Sequence, residues 1–341
     1  MDKKWKAISG KESDIVVSTR VRLARNLADY PFPGRLTPAK EREVVDAVAA
    51  VMASSPIGNS LKLVEINPLS ETERRAMMER HLISQELVDG KGTRAVLLSE
   101  EAGISIMINE EDHLRIQVLG SGLCLNECLK RAIEIDDILD RSLRYAFDEN
   151  LGYLTKCPTN LGTGIRASVM LHLPALTQSG AIRSIAANAG KLGFAVRGMF
   201  GEGSEAKGSL YQISNQMTLG FDEETIVERL SDALRQIIGH ERKYRSEAVK
   251  HMKLQLEDRV WRSAGTLSYA RSISTDEAMQ LLSDIRMGSS LGLIEADLEK
   301  LNSLLWEIQP ANLIKASGKD TLTPEERDIR RAALLRKLPI R

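Results

Sequence analysis

Three consecutive acids and a histidine, Glu110-Glu111-Asp112-His113, stand between two apolar runs that alternate with period two, residues 103–108 and 114–119. Such a pattern reads as a β-hairpin, which puts the carboxylates at its tip and Arg115 just inside the second strand. A tip of this composition also suits an ordinary solvated turn. What sets it apart is the company of Arg20, Arg22, Arg115, Arg166 and Arg197, each standing alone in apolar or glycine-rich surroundings. Isolated arginines of that kind either pair with carboxylates or converge on a polyanion. A nucleoside triphosphate with magnesium is a polyanion that uses several planar forks, and an arginine cage can neutralise it without a P-loop. Acids at the hairpin tip would then face a cationic acceptor. The residue pattern alone therefore points to a nucleotide-dependent phosphotransferase with a basic acceptor.

Two loops could complete such a site. Residues 155–164 carry an Asn/Gly/Thr cluster whose backbone amides could approach an anion, and Arg166 leads out of it into an apolar run. This is neither a Walker A loop, lacking Gly-Lys-Ser/Thr, nor a dinucleotide fingerprint, lacking the third glycine. Residues 197–208 form a second glycine-rich loop, with Arg197, Glu202 and Glu205. Both also suit plain surface connections. Cys124 and Cys128 lie one helical turn apart with no further ligand to make a zinc set, so they are expected in the core.

The elements that must position these residues are legible from punctuation and period. Residues 15–26 begin as a strand, and if it continues, Arg20 and Arg22 share a side. Thr37 caps a helix over 38–52 with proline at its first position. A second helix, 71–81, follows the cap Ser70. Strands at 93–99, 103–108 and 114–119 have links too short for parallel crossovers, so they are antiparallel. Helices are expected at 124–146 and 178–192 and, as one long helix or two, over 222–256, with strands at 194–197 and 209–216. From about residue 258 short capped helices take over, with boxes at 274–277 and 323–326. The expected fold is therefore α+β: a large antiparallel sheet flanked by helices over 1–257, then a small all-helical domain over 258–341. In its last helix Arg327, Arg330 and Arg331 stand at i, i+3 and i+4, a spacing that suits a multi-oxygen anion as well as a solvated basic face.

Composition bounds the rest. The 341 residues carry 47 basic and 47 acidic side chains, so bulk charge favours neither nucleic acid nor a membrane surface. No apolar stretch has the length of a signal peptide or a membrane span, and three cysteines make no disulfide framework, so a cytoplasmic protein is expected.

Four stretches taken together, Ser18-Thr19-Arg20-Val21-Arg22, residues 109–115, residues 157–168 and Arg197-Gly198 with Gly201-Glu202, resemble the ordered motif set of the phosphagen (guanidino) kinases. The resemblance implies an MgATP site built by Ser18, Thr19, Arg20, Val21, Arg22, His81, Arg115, Arg166, Ala167, Ser168, Val169, Met170, Arg197, Gly198, Met199, Phe200, Gly201 and Glu202. It makes Glu111 the catalytic carboxylate, Glu202 its partner on the guanidinium, and Cys157 the reactive thiol beside the acceptor. ATP and Mg2+ are the implied cofactors. Beyond the resemblance, an inert buried thiol would equally explain Cys157.

The first motif begins at residue 18, with a helical region at the other end. This arrangement is similar to the branch of the family that phosphorylates arginine side chains on proteins, rather than free arginine or another small guanidino compound. The motif Arg327-Asp328-Ile329-Arg330-Arg331-Ala332 resembles that branch's phosphoarginine-binding, allosteric motif. Implied partners are proteins with exposed arginines, an activator protein, a Clp-type chaperone–protease and a heat-shock repressor, with a homodimer as the assembly. A catalytically silent ATP-binding adaptor is the rival from another class.

Overall fold

Alternation in the strands and capping in the helices determine how this chain divides, and the structure, a computed structural model, describes residues 10–99, 103–199 and 206–340. In chain order the elements are β1 (Val16–Arg25), α1 (Pro38–Ala53), β2 (Leu61–Glu65), α2 (Glu71–Glu79), α3 (Gln85–Asp89), β3 (Ala95–Ser99), β4 (Ile104–Ile108) and β5 (Leu114–Ser121). Then come α4 (Leu125–Asp140), β6 (Phe147–Asp148), β7 (Gly152–Tyr153), β8 (Ile165–His172), α5 (Pro174–Gln178), α6 (Ile182–Lys191), β9 (Phe194–Gly198) and β10 (Leu210–Asn215). Helices α7 (Glu223–His251), α8 (Lys253–Tyr269), α9 (Thr275–Ser290), α10 (Leu298–Glu307), α11 (Pro310–Ser317) and α12 (Pro324–Leu335) complete the chain.

Eight strands form one antiparallel sheet in the order β2-β3-β4-β5-β1-β8-β10-β9, and β6 and β7 make a separate ribbon. The antiparallel sheet flanked by helices is the one that the short links predict. The strand that begins in residues 15–26 does continue: β1 runs through Arg20 and Arg22 to Arg25 in the interior of the sheet, between β5 and β8.

One face of the sheet is apolar. Val21 and Leu23 of β1, Ile116 and Val118 of β5, and Ala167 and Val169 of β8 pack there with Val44 and Val48 of α1, Leu129 and Ile135 of α4, and Leu230 and Leu234 of α7. Burial of this face, at about 25 cal/mol per Å2 of apolar surface, is the main force holding the sheet to its helices. Thr37 accepts from Lys40 N at the start of α1, and Ser70 and Glu73 close a capping box on α2. Thr323 and Glu326 close another on α12, whereas at α9 Ser274 accepts from Glu277 N. Of the two readings of residues 222–256, one helix or two, the structure has two, with a break at Met252, and residue 258 lies inside α8.

A second core joins the helices after α7 to the sheet: Val17, Met170, Met199 and Leu210 pack with Ile285, Leu304, Leu305 and Trp306. Arg286 fastens the same junction, donating to the carbonyls of Asp14 at 2.9 Å and Ser13 at 2.8 Å.

Candidate active site

The polar face of the sheet is made by the alternate residues. Register pairs Arg22 of β1 with Gln117 of β5 and Arg166 of β8, and Arg20 with Leu119 and Ser168. On β10, Gln212 stands between Met170 of β8 and Arg197 of β9, and at the other side Arg115 of β5 pairs with Ala24. Directly paired residues share a face, so Arg20, Arg22, Arg115, Arg166 and Arg197 all project from one surface, opposite the apolar core.

Bringing these cations together costs free energy. Burial, then Arg115 and Arg166, pulls the Arg20 guanidinium down to about 10. Burial, then Arg20, Arg115 and Arg166, holds Arg22 well below its usual range. The hydrogen-bond partners of Arg20 are neutral, Gln212 Oε1 at 2.8 Å and Ser168 Oγ at 3.4 Å, and Arg22 Nε is buried with no partner among the described residues. A polyanion would relieve both the repulsion and the unsatisfied donor.

Beside this surface lies the hairpin tip, and its four polar residues divide by role. Asp112 Oδ1 accepts from Asn26 Nδ2 at 2.6 Å and Lys156 N at 2.8 Å. His113 Nδ1 accepts from Leu27 N at 3.1 Å, which leaves Nε2–H to donate to Pro31 O at 3.1 Å. Burial brings that imidazole down to about 4, so it is neutral. Glu110, its side chain fully buried, accepts from Arg115 Nη1 at 2.8 Å. These three fix the tip. Glu111 is the one left facing outward: its Oε2 accepts from Arg115 Nη2 at 3.2 Å and Asn160 Nδ2 at 3.4 Å, and its Oε1 takes no hydrogen bond from the described residues. Burial raises the Glu111 carboxyl against the pull of Arg115, and Asp112 and Glu110 add to the rise.

The 157–164 loop is laid against Thr218 and the end of β1 by two glycines. At Gly162, with φ +105°, an added Cβ would lie 2.3 Å from Thr218 O; at Gly164, with φ +65°, it would lie 2.6 Å from Ala24 O. No other residue fits either position. The loop thereby carries Asn160 to Glu111 and leaves Cys157 partly exposed, its Sγ 3.1 Å from Thr159 Oγ1.

A small open cavity lies on the cationic face, lined by Ser18, Arg20, His81, Leu119, Ser168, Met170 and Gln212. Burial, then Arg20 and Arg22, takes the His81 imidazole down to about 3. His81 follows α2, and Gln117 Nε2 donates to its carbonyl at 2.8 Å.

Not every candidate residue comes to this surface. Thr19, Val21, Ala167 and Val169 alternate with the site residues and therefore point to the opposite face. Thr19 Oγ1 donates to Gly122 O at 2.6 Å and accepts from Cys124 N at 3.2 Å, fixing the entry of α4, while the other three lie in the apolar core. Gly198 ends β9, and Met199 is buried in the second core. Phe200, Gly201 and Glu202 lie outside the described residues. At the far end, Arg331 does not join Arg327 and Arg330 in a surface cluster. It is buried, donating to Ile308 O at 2.9 Å, Ile273 O at 2.8 Å and Asp328 Oδ1 at 2.5 Å, with Ala332 packed beside it. Arg330 and Ile329 are exposed and Arg327 is half-buried.

Asn160 belongs to the Asn/Gly/Thr cluster that the sequence marks, but Gln212 and Gln117 are not singled out there. Glutamines on strands carry no motif, and only the alternation of β10 and β5 beside Arg20 and Arg22 marked them.

Residues 43–244 match the ATP:guanido phosphotransferase C-terminal catalytic domain, and residues 253–338 match the protein-arginine kinase McsB C-terminal domain. A protein-arginine kinase of Caldanaerobacter subterraneus subsp. tengcongensis is 47% identical over 94% of this chain and 96% of its own. This chain belongs to the protein-arginine kinase family. It is thus an enzyme, a guanidino phosphotransferase. Another family member, from Brevibacillus brevis, is 48% identical over 97% of this chain and 94% of its own. Among solved structures, the duplicated taurocyamine kinase from Schistosoma mansoni with bound transition-state-analogue components superposes with a TM-score of 0.60 at 28% identity. That match covers 70% of this chain and 35% of the duplicated one. Lombricine kinase gives 0.60 at 24% identity over 72% of this chain and 71% of its own, a likeness of fold. The catalytic-domain match begins after β1, so Arg20 and Arg22 precede it and join the site through the sheet register alone.

Proposed function

We propose that this enzyme transfers the γ-phosphoryl group of MgATP to the guanidinium of arginine side chains on proteins. The observation that carries the reading is the meeting of two unlike surfaces: a sheet face of arginines held together at electrostatic cost, and one outward-facing carboxylate at its rim. Arg20, Arg22, Arg115, Arg166 and Arg197 would hold the phosphates, with Ser18, Ser168 and Gln212 around the cavity. Among the described residues no cluster of three or more metal-ligating side chains occurs, so magnesium would arrive with the nucleotide, where it neutralises phosphate charge.

A guanidinium is a poor nucleophile because its pKa lies above about 12. Glu111 answers this in two ways. Its Oε2, steadied by Arg115 and Asn160, orients the carboxylate, and its open Oε1 accepts the proton of the attacking nitrogen. The nitrogen forms its bond to phosphorus as the bridging oxygen leaves with ADP. Cys157 and Glu202 would complete the acceptor's surroundings.

Finer assignments belong to the same proposal. Residues 1–257 would form the catalytic domain and 258–341 the helical one, with Arg327 and Arg330 of α12 offering cations to a phosphoarginine effector. A cytoplasmic homodimer, an activator protein, marking of substrates for a Clp-type protease and control of a heat-shock repressor belong to the same reading. No described helix is long and apolar enough to cross a membrane.

The test is a phosphotransfer assay with MgATP, offering an arginine-rich unfolded protein or free arginine. Acid-labile label on the protein and none on free arginine is the expected result. Label on free arginine alone would make this a small-molecule kinase, and nucleotide binding without label on either would make it an adaptor.

A further inference from the structure

Among the residues that line the cavity His81, just after α2, is the one that does not come from a sheet strand, and its surroundings are held by the helices near the other end of the chain. Trp306, in the last turn of α10, meets His81 edge to face, with ring centroids 4.7 Å apart and planes at 87°. Trp306 is 5% exposed, so the contact is internal. Two residues before His81, the Glu79 carboxylate receives the start of α11: Oε1 accepts from Ala311 N at 3.0 Å, and Oε2 from Asn312 N and Nδ2, each at 2.9 Å. Glu79 therefore satisfies amides that an α-helix leaves open at its N-terminus.

The two contacts straddle the turn Ile308-Gln309-Pro310 between α10 and α11. Arg331 of α12 closes the arrangement by donating from Nε to Ile308 O at 2.9 Å. His81 itself is in the left-handed region, φ +57°, a conformation that a β-carbon disfavours and that surrounding contacts must maintain. Gln117 secures its backbone from the sheet side. The ring's placement beside Arg20 rests against the indole.

We propose that Trp306 is a positioning residue for the nucleotide site, holding the His81 ring in the cavity wall so that the C-terminal helices set nucleotide affinity. This rests on the reading of the arginine face as the ATP site. Glu79 anchors the same wall from its backbone side, and neutrality of His81, whose imidazole is depressed to about 3, lets it sit beside Arg20 without added repulsion. An aromatic pair of this geometry is worth more than the apolar area it buries.

The experiment compares Trp306→Phe with Trp306→Leu in the full chain, both of which keep an apolar side chain in the core. Steady-state phosphotransfer gives KM for MgATP and kcat separately, MgADP titration gives nucleotide affinity, and thermal denaturation gives stability. The leucine variant should raise KM and weaken MgADP roughly three- to tenfold with kcat little changed, while phenylalanine, which keeps a ring, should retain near wild-type affinity. In a double-mutant cycle with His81→Ala the two affinity losses should not add. Equal affinity in both variants alongside a lowered melting temperature would overturn the proposal and leave Trp306 as core. Arg20→Ala separates the two readings: if it leaves MgADP affinity unchanged, the site itself is misassigned; if it abolishes binding while Trp306→Leu does not weaken it, only the positioning role fails.

Discussion

Arg115 Nη2 lies 3.2 Å from Glu111 Oε2 while its Nη1 lies 2.8 Å from Glu110 Oε1, so one guanidinium is divided between two neighbouring carboxylates. Glu110 is fully buried and holds the shorter contact. Glu111 receives what is left, a longer contact at the tip's outer side, which is why burial outweighs Arg115 and raises its carboxyl. The pairing aims Glu111 without neutralising it as a base.

Replacing Glu111 by glutamine should therefore cost transfer and not nucleotide binding. General-base contributions of roughly a hundredfold to ten-thousandfold set the scale of the loss in kcat. The sign for stability is opposite. A carboxyl raised on folding binds protons more readily in the folded state, so it withdraws stability as pH rises through the interval between its unfolded and its raised folded pKa. Glu111→Gln should thus melt no lower than wild type at pH 7, and slightly higher if desolvation dominates. An active variant, followed by acid-labile label on protein, would remove Glu111 from the mechanism.

Arg22 makes the same trade on the nucleotide side. Its Nε has no described partner, and burial and then three arginines depress it, so Arg22→Met should raise the stability of the ligand-free protein by about 1 kcal/mol. MgADP should bind at least tenfold more weakly, and saturating nucleotide should then raise the melting temperature less than in wild type. If the variant is less stable without ligand, repulsion does not govern this position.

His113 supplies a pH dependence. Its imidazole titrates near 6.5 when unfolded and is brought to about 4 by burial. Between those values the unfolded chain binds the extra proton, so stability falls as pH falls through that window, by up to about 3 kcal/mol from this residue. His81, near 3, and His172, held well below its usual range by burial, then Arg286 and Arg245, add in the same direction. His113→Gln retains a donor and an acceptor but no titration, and should lose less stability than wild type in urea melts between pH 7 and pH 5. An unchanged slope would assign the acid sensitivity to other groups.

Much of this was legible in the chain. Period two in residues 103–108 and 114–119 marks the hairpin, short links force the antiparallel sheet, and the spacing of Arg20 and Arg22 puts both on one face. The same alternation places Thr19, Val21, Ala167 and Val169 on the other, although a motif read as a block includes them. Periodicity cannot decide which acid at a tip faces outward, because that choice is made by Asn26, Leu27, Pro31 and Lys156, residues far away in sequence. Nor could it reveal that His81 packs on Trp306, a contact across 225 positions made by the second core.

The last helix shows how helical spacing alone can mislead, and it yields a sharp contrast between two adjacent arginines. Arg331 is 1% exposed and donates to two carbonyls and Asp328, whereas Arg330 is exposed. Arg331→Ala leaves those buried carbonyls and Asp328 without their donor, a loss on the order of 3 kcal/mol or more. It should also loosen the Ile308 turn that carries Trp306 and the start of α11. Arg330→Ala removes only a surface charge and should stay within about 0.5 kcal/mol of wild type. Chemical denaturation of both variants checks the pair. Basal phosphotransfer measured with and without phosphoarginine then separates roles: Arg327→Ala and Arg330→Ala should change the response to the effector and leave basal activity intact. Equal loss of stability from Arg330→Ala and Arg331→Ala would mean that α12 packs by a different face.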